Sequence, residues 1–274
     1  MEFADGPQEP DDSAESPSEG CGSMRSTKGI LSRYASVLDA VAVHPGGLSL
    51  TEIMQATGLP RGTVHRLLGA LQEVGYLATR DSRKIYVLGP RLLRVAHLGA
   101  APESIGNLAQ PVLDGLVEKL GETAFLARLS GDRVESCATA VPSREGQSHV
   151  HPGRDMPIHA AASAKAIFAY QDPALVARAL ERPRTRYTED TRVKVTEVCE
   201  DLETVRRSGY AVCDNQLDPG VLSYAAPVHL DGAGVLYSVG VVGLTARLGR
   251  YAEARLAGDL RAAAEAISAR LSDG

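Results

Sequence analysis

The chain contains no tryptophan, few aromatic residues, only four cysteines and no long apolar segment. The cysteines are scattered and form no Cys-x-x-Cys pair, which argues against a zinc ribbon and against a disulfide framework. No apolar run approaches the ~18 residues that a membrane span needs, and the N-terminus lacks the apolar stretch of a signal peptide. These absences predict a soluble, cytoplasmic protein with no membrane partner.

The charge is unevenly distributed along the 274 residues, although the net value is only −5. Residues 1–23 carry −7, residues 24–99 carry +6 and residues 100–274 carry −4. A basic block beside an acidic remainder indicates a polyanionic partner for that block alone. The acidic first segment is rich in Ser, Pro and Gly and has few apolar residues, so we predict that it is disordered.

Two short helical patterns follow one another in TEIMQATGLPRGTVHRLLGALQEVGY, residues 51–76. Ser49, with Glu52 three residues later, forms a capping-box signal before the first of them. An earlier helical pattern covers residues 28–43, and YLATRDSRKIYVLG at 76–89 is typical of a small hairpin. Three helices followed by a two-stranded wing predict a winged helix-turn-helix domain.

The third helix of this pattern has one apolar stripe and one polar stripe. The apolar stripe comprises Val64, Leu67, Leu68, Leu71 and Val74. The polar stripe contains arginines, which can neutralise phosphates or bond a guanine edge, and two glycines, Gly62 and Gly69. Each glycine costs about 1 kcal/mol of helix stability relative to alanine, but its missing side chain lets the backbone approach the sugar-phosphate wall. The alternative is a solvated helix of an ordinary α/β protein.

The predicted DNA contacts lie on the third helix and in the wing. They are Arg61, Gly62, Thr63, His65 and Arg66 on the helix, and Arg80, Arg83 and Lys84 in the wing.

The remainder of the chain alternates between helix and strand patterns and is predicted to be α/β. Pro90 begins a further helix, RLLRVAHLGA, between the two halves. Later helices are predicted near residues 103–120, 159–170, 196–208 and 251–271. Strands are predicted at residues 124–129, 134–141, 210–212, 222–230 and 235–242.

These motifs, taken in order, resemble the IclR family of bacterial transcriptional regulators. The resemblance rests on SLTEIMQATGLPRGTVHRLLGALQEVGYL, YVLGPRLLRVAHLG, GETAFLARLSGDRVESC, MPIHAAASAKAIFAY, LETVRRSGYAVCDNQLDPGV and LSYAAPVHLDGAGVLYSVGVVGL. It implies an N-terminal winged helix-turn-helix, a linker helix and a C-terminal α/β (α+β) effector-binding domain similar to GAF domains. It also implies double-stranded operator DNA, a small organic effector and self-association into dimers or tetramers.

The resemblance divides the chain into four segments. We expect a disordered acidic tail over residues 1–23, a DNA-binding domain over 24–89, a linker helix over 90–102 and an effector-binding domain over 103–274. The implied function is that of a DNA-binding regulator, more specifically a repressor of a catabolic operon.

The effector pocket implied by the resemblance departs from the family's pattern. Members tend to read Gly-Tyr-x-x-Asp-Asp-Glu-Glu ahead of Gly-Val-Arg-Cys, where this chain reads GYAVCDNQLDPGVLSYAAPV. Cys213 stands where an aspartate is usual, and Gly240 and Val242 occupy positions that resemble pocket serines. The resemblance maps the pocket onto Met156, Ala162, Ser163, Cys213, Ser223, Gly240 and Val242.

The pocket is therefore expected to have lost charge and hydroxyl groups and to have gained room at Gly240. Because an unpartnered buried polar group costs roughly 1–3 kcal/mol, a small hydrated acid such as pyruvate would fit poorly. We predict an aromatic acid or a derivative of one as the effector. The alternative is that these substitutions are neutral drift.

The sequence supports a metal site and a redox sensor less well than it supports a transcriptional regulator. His149, His151 and His159 could suggest a metal site, but zinc needs three or four ligands and a fixed second shell, so we expect neither a metal nor a cofactor. Cys213 could suggest a redox sensor, but such a thiol should be exposed and activated by a base or a helix N-terminus.

A catalytic α/β domain with a DNA-binding appendage is the alternative function. The sequence contains no Gly-x-Ser-x-Gly elbow, P-loop or dinucleotide fingerprint. Ser223, His229 and Asp231 all occur, but nothing in the pattern positions Ser223 against the other two. We therefore predict no catalytic residues, and turnover of a bound small molecule would distinguish the two functions.

Overall fold

The computed structural model describes residues 29–80, 84–143 and 149–273. The predicted disordered tail and the wing residue Arg83 lie outside this range. The N-terminal elements are α1 (Ile30–Ala42), α2 (Leu50–Thr57), α3 (Arg61–Glu73), β1 (Leu77–Arg80) and β2 (Ile85–Leu88).

The three N-terminal helices enclose a small hydrophobic core. Val37, Ile53 and Leu68, one from each helix, are almost completely buried there. The capping box at the start of α2 is present, since the Ser49 backbone N–H donates to Glu52 Oε2 at 2.7 Å and the Glu52 N–H donates to Ser49 Oγ at 3.4 Å. β1 and β2 pair in antiparallel fashion, so the predicted winged helix-turn-helix is confirmed.

The chain continues through a helix-rich connection into a second core. The elements that follow are α4 (Pro90–Gly99), α5 (Pro102–Leu120), β3 (Thr123–Ser130), β4 (Arg133–Ala140), α6 (Ala162–Phe168), α7 (Pro173–Glu181), α8 (Val195–Ser208), β5 (Ala211–Asp214), β6 (Val221–Leu230), β7 (Gly234–Leu244), α9 (Thr245–Leu248) and α10 (Glu253–Asp273). The five strands form one antiparallel sheet in the order β4-β3-β7-β6-β5. The predicted mixed α/β architecture is confirmed.

Helices cover both faces of this sheet. Successive strand residues point to opposite faces, so Leu126 and its neighbour Phe125 face different layers. Gly106 of α5 lies against Ala138, the partner of Leu126 across β3 and β4. α10 packs beside α5, whereas α6 packs on the other face, which carries Phe125.

α4 is docked onto the C-terminal domain. Leu93 lies so close to Gly232 that a Cβ there would stand 2.7 Å from Leu93 Cδ1. The Arg94 guanidinium donates to Gln171 Oε1 at 2.7 Å, and Tyr237 Oη donates to the His97 carbonyl at 3.1 Å. The linker helix is thereby attached to the turn between β6 and β7 and to the segment that follows α6.

The differences from the predicted elements are local. α6 begins at Ala162 rather than near residue 159, because the preceding residues form a turn in which the Ala160 N–H donates to the Pro157 carbonyl. α7 has no counterpart among the predicted helices. No helix in the described part of the chain is long and apolar enough to cross a membrane.

Candidate functional site

α3 presents a basic face to solvent. Val64, Leu67, Leu68 and Leu71 are buried, and the exposed side consists of Arg61, Gly62, His65, Arg66 and Gly69. Thr63 is half-buried. Val74 was predicted to belong to the apolar stripe, but it caps the helix and is 41% exposed. Arg66 Nε donates to the Gly62 carbonyl at 3.3 Å, and the exposed guanidinium and imidazole groups of this face can meet a polyanion.

The two glycines of this face are open to solvent. A Cβ built on Gly62 or on Gly69 would meet no atom within 4 Å. The fold therefore does not require glycine at either position, and both lie in helical conformation, without positive φ. Two helix-weakening residues on the polar face agree with close approach of the α3 backbone to another molecule.

The wing adds further basic side chains beside α3. Arg80 ends β1, Lys84 precedes β2, and both are exposed. Leu48 pairs with Tyr86 through two backbone hydrogen bonds of 3.0 and 2.8 Å. The wing strands are thus fixed to the segment that leads into α2, which holds the wing in a defined position beside α3.

A cavity of about 300 Å³ lies between the sheet and α6. Six of the seven predicted pocket residues line it: Met156, Ala162, Ser163, Cys213, Ser223 and Val242. Cys213, Ser223 and Val242 are direct neighbours across β5, β6 and β7. They form one row on the sheet, and α6 contributes Ala162 and Ser163 from above.

Ser163 lines the cavity, and its side-chain hydroxyl lacks a hydrogen-bond partner in the part of the chain that the structure describes. It is 1% exposed, and its Oγ has no hydrogen-bond partner among the described residues. The backbone carbonyl of Ser163 accepts from Ser238 Oγ at 3.2 Å, which holds α6 to β7. Because a buried hydroxyl without a partner costs about 1–3 kcal/mol, a hydrogen bond from a molecule in the adjacent cavity would stabilise the bound state.

The structure corrects the expectation that Gly240 gives the ligand room. Gly240 does not line the cavity, because the Phe125 ring lies over it. A Cβ on Gly240 would stand 2.6 Å from Phe125 Cζ and 3.0 Å from the Tyr224 carbonyl oxygen. The space left by the missing side chain is thus filled by Phe125, and this ring itself lines the cavity.

Sequence reasoning missed several other lining residues. The mouth carries the exposed side chains of His151, Asp155, Tyr187 and Asp218. No Lys or Arg side chain is among the lining residues of the described chain. These residues lie in loops whose contacts depend on the tertiary fold, and the His-x-His pattern is the sequence signal in this region.

The metal and redox hypotheses do not gain support. His159 is buried, stacks on Tyr187 with ring centroids 5.8 Å apart and bonds the Thr185 carbonyl at 2.9 Å, whereas His151 lies at the cavity mouth. Within residues 29–80, 84–143 and 149–273, no group of three or more His, Cys, Asp or Glu could hold a metal ion. Burial raises the pKa of the Cys213 thiol, the opposite of what an activated thiolate requires.

The three residues considered for catalysis are not brought together. Ser223 lines the cavity, whereas His229 lies near the far end of β6 and contacts Tyr170, with ring centroids 4.8 Å apart. Asp231 lies beyond it in the turn before β7. No nucleophile–base pair is formed by these side chains.

Comparison with known proteins covers both halves of the chain. Residues 31–81 match the IclR helix-turn-helix domain, and residues 101–269 match the bacterial transcriptional regulator IclR C-terminal domain. The chain is 32% identical to the HTH-type transcriptional regulator Rv1719 of Mycobacterium tuberculosis, over 85% of this chain and 88% of that protein. It is 28% identical to the DNA-binding transcriptional repressor YiaJ of Escherichia coli, over 88% and 87%.

A solved structure also has the same fold. An IclR homologue from Microbacterium hydrocarbonoxydans, crystallised with 4-hydroxybenzoate, superposes with a TM-score of 0.56 at 22% identity, covering 89% of this chain and 99% of that one.

Proposed function

Because the chain belongs to the IclR family of bacterial transcriptional regulators, we propose that it represses a catabolic operon and is released from its operator by a small aromatic effector. α3 is the proposed recognition helix, with Arg61, Gly62, Thr63, His65 and Arg66 as its contacts. Arg80, Arg83 and Lys84 would contact the flanking backbone. The single observation that carries the DNA-binding assignment is the exposed basic face of α3, which the fold itself does not need.

The effector would occupy the cavity under α6. Met156, Ala162, Ser163, Cys213, Ser223 and Val242 form its proposed lining, joined by Phe125 in place of Gly240. A 150 Å³ apolar cavity binds benzene, so a cavity of about 300 Å³ has room for a substituted ring. Both an aromatic acid and an uncharged derivative meet this size.

Self-association is proposed to occur through α4. Val95 and Leu98 are 51% and 42% exposed, and residues three apart lie on one helical face. A single winged helix buries too little DNA surface for tight specific binding, so paired half-sites are expected. In this proposed arrangement, residues 24–89 bind DNA, residues 90–102 link the two domains, and residues 103–274 bind the effector.

Selection of duplexes from a random library tests the proposal. The protein should enrich a near-palindromic site, and an aromatic compound should weaken its binding there. The same mixtures, analysed for new products by chromatography, test the catalytic alternative. Enrichment of no sequence would contradict the regulator function, and turnover of the compound would favour the catalytic one.

A further inference from the structure

We propose that the effector is an uncharged, hydroxyl-bearing aromatic molecule, with its ring on Phe125 and its hydroxyl on Ser163 Oγ. This inference rests on the proposed function and selects between the two effector classes left open there. Three features of the cavity carry it: the aromatic surface, the unpartnered hydroxyl and the charges of the lining.

The aromatic surface is created by the pairing of Phe125 with Gly240. The two residues are directly opposite each other on β3 and β7, and the ring covers the glycine backbone. Phe125 is 3% exposed and lines the cavity. Because the ring both covers Gly240 and lines the cavity, an aromatic ligand there would meet it in the offset-stacked or edge-to-face contact that aromatic pairs favour.

The polar end of the site is small and uncharged. Ser163 Oγ is buried without a partner, and Ser223 is also buried on the lining. A hydroxyl can both donate and accept, so it matches a ligand hydroxyl in either direction. One hydroxyl at the end of an apolar wall fits a phenol-type group.

The charges of the cavity disfavour a carboxylate. Asp155 and Asp218 lie at its mouth beside His151, and an anionic ligand would meet these two carboxylates without a lining Lys or Arg in the described residues. Lys165 is the buried cation of α6, but its ammonium is occupied by Asp201 and by Gln216, each at 2.6 Å. Like charges in a partly desolvated site repel, so an uncharged ligand is favoured.

Four small probes of similar size separate these features by calorimetry at pH 7. Phenol is neutral at this pH and benzoate is charged, as the ordinary pKa values of tyrosine and of carboxylates indicate. Cyclohexanol keeps the hydroxyl without the flat ring, and toluene keeps the ring without the hydroxyl. Phenol should bind most tightly, by about threefold to tenfold over each of the others.

Two variants assign the preference to residues. Ser163→Ala should remove the advantage of phenol over toluene while leaving toluene binding unchanged, and Phe125→Leu should remove the advantage over cyclohexanol. Ser104→Ala on α5, an exposed position on the face of the sheet opposite the cavity, is the control for the first substitution. Melting curves and DNA binding of each variant show whether its fold is retained.

The outcomes also distinguish this inference from the proposed function. Benzoate binding more tightly than phenol, cyclohexanol binding equally well, or no probe binding at millimolar concentration would overturn the inference. DNA binding that responds to an aliphatic or carboxylate ligand would overturn it while leaving the regulator function standing. Phenol binding in the expected order by a protein that selects no DNA sequence would support the cavity assignment and contradict the regulator function.

Discussion

Replacing Gly69 by alanine should change the stability of α3 and its affinity for DNA in opposite directions. Gly69 is exposed in the interior of α3, and a Cβ there meets no atom within 4 Å. Alanine should therefore raise the free energy of unfolding by about 0.8–1 kcal/mol, the helix-propensity difference from glycine. This gain corresponds to a rise of about 4–8 °C in the melting temperature of a domain of 60–100 residues.

The same substitution should weaken DNA binding. If the α3 backbone lies against the sugar-phosphate wall, an added methyl group overpacks that contact at a cost of about 1–3 kcal/mol, or roughly 5-fold to 150-fold in Kd. Melting is followed by circular dichroism, and Kd is measured on the selected duplex at one fixed salt concentration, because phosphate contacts make affinity depend strongly on salt.

Gly258→Ala is the matched control for this experiment. Gly258 is exposed in the interior of α10, and a Cβ there also meets nothing within 4 Å. It should stabilise the protein to a similar extent without changing DNA affinity. A Gly69→Ala protein that is more stable and binds DNA as tightly as the wild type would refute close approach of α3 at this position.

Arg61→Ala and Arg66→Ala should each weaken binding to the selected duplex. A base contact costs about 1–3 kcal/mol and relaxes specificity at one position, whereas a phosphate contact weakens all sequences alike; mobility shifts that neither variant changes would show that another face binds DNA. Light scattering should find at least a dimer, and a monomer that binds DNA tightly and specifically would contradict the role of α4. Gln171→Ala should lower the free energy of unfolding by about 1–3 kcal/mol, because the half-buried Arg94 guanidinium is left with its longer bond to the Ala233 carbonyl at 3.4 Å. It should also reduce the effect of phenol on DNA affinity. If the variant kept both the free energy of unfolding and the effect of phenol on DNA affinity, the bond between Arg94 and Gln171 would have no importance for either.

The N-terminal fold could be predicted from sequence because its signals are local. The capping box of Ser49 and Glu52 is read within four residues, and Gly58 adopts the left-handed conformation that ends α2, with φ of 67°. α7 has a similar local signal, since Asp172 caps it by accepting from the Ala174 N–H and Pro173 stands in its first turn.

The cavity could be predicted only in part because its shape depends on contacts distant in sequence. Cys213, Ser223 and Val242 lie in one row because of the strand register. The resemblance had assigned these residues to one pocket. Whether Gly240 leaves empty space depends on the residue across the sheet, and Phe125 became its neighbour only through pairing of β3 with β7. No pattern around either residue specifies that pairing.

Effector control requires that the ligand interact differently with the DNA-bound and free states. α6 is the element that joins the two regions concerned, because Ser163 at one end lines the cavity and Gln171, just beyond the other end, bonds Arg94 of α4. Every residue of α6 is buried, and close-packed interiors transmit displacement rather than absorbing it.

A ligand that displaced α6 would therefore also displace the Gln171 side chain. This amide is held on its other side, since Nε2 donates to the Ile167 carbonyl at 2.9 Å and to the Val235 carbonyl at 2.6 Å. Movement at the cavity must then be accommodated either at β7 or at α4. Because α4 follows directly on the wing, a change in its position would, in the proposed dimer, alter the spacing of the two copies of α3. Half-site spacing is the geometric condition for binding both half-sites at once.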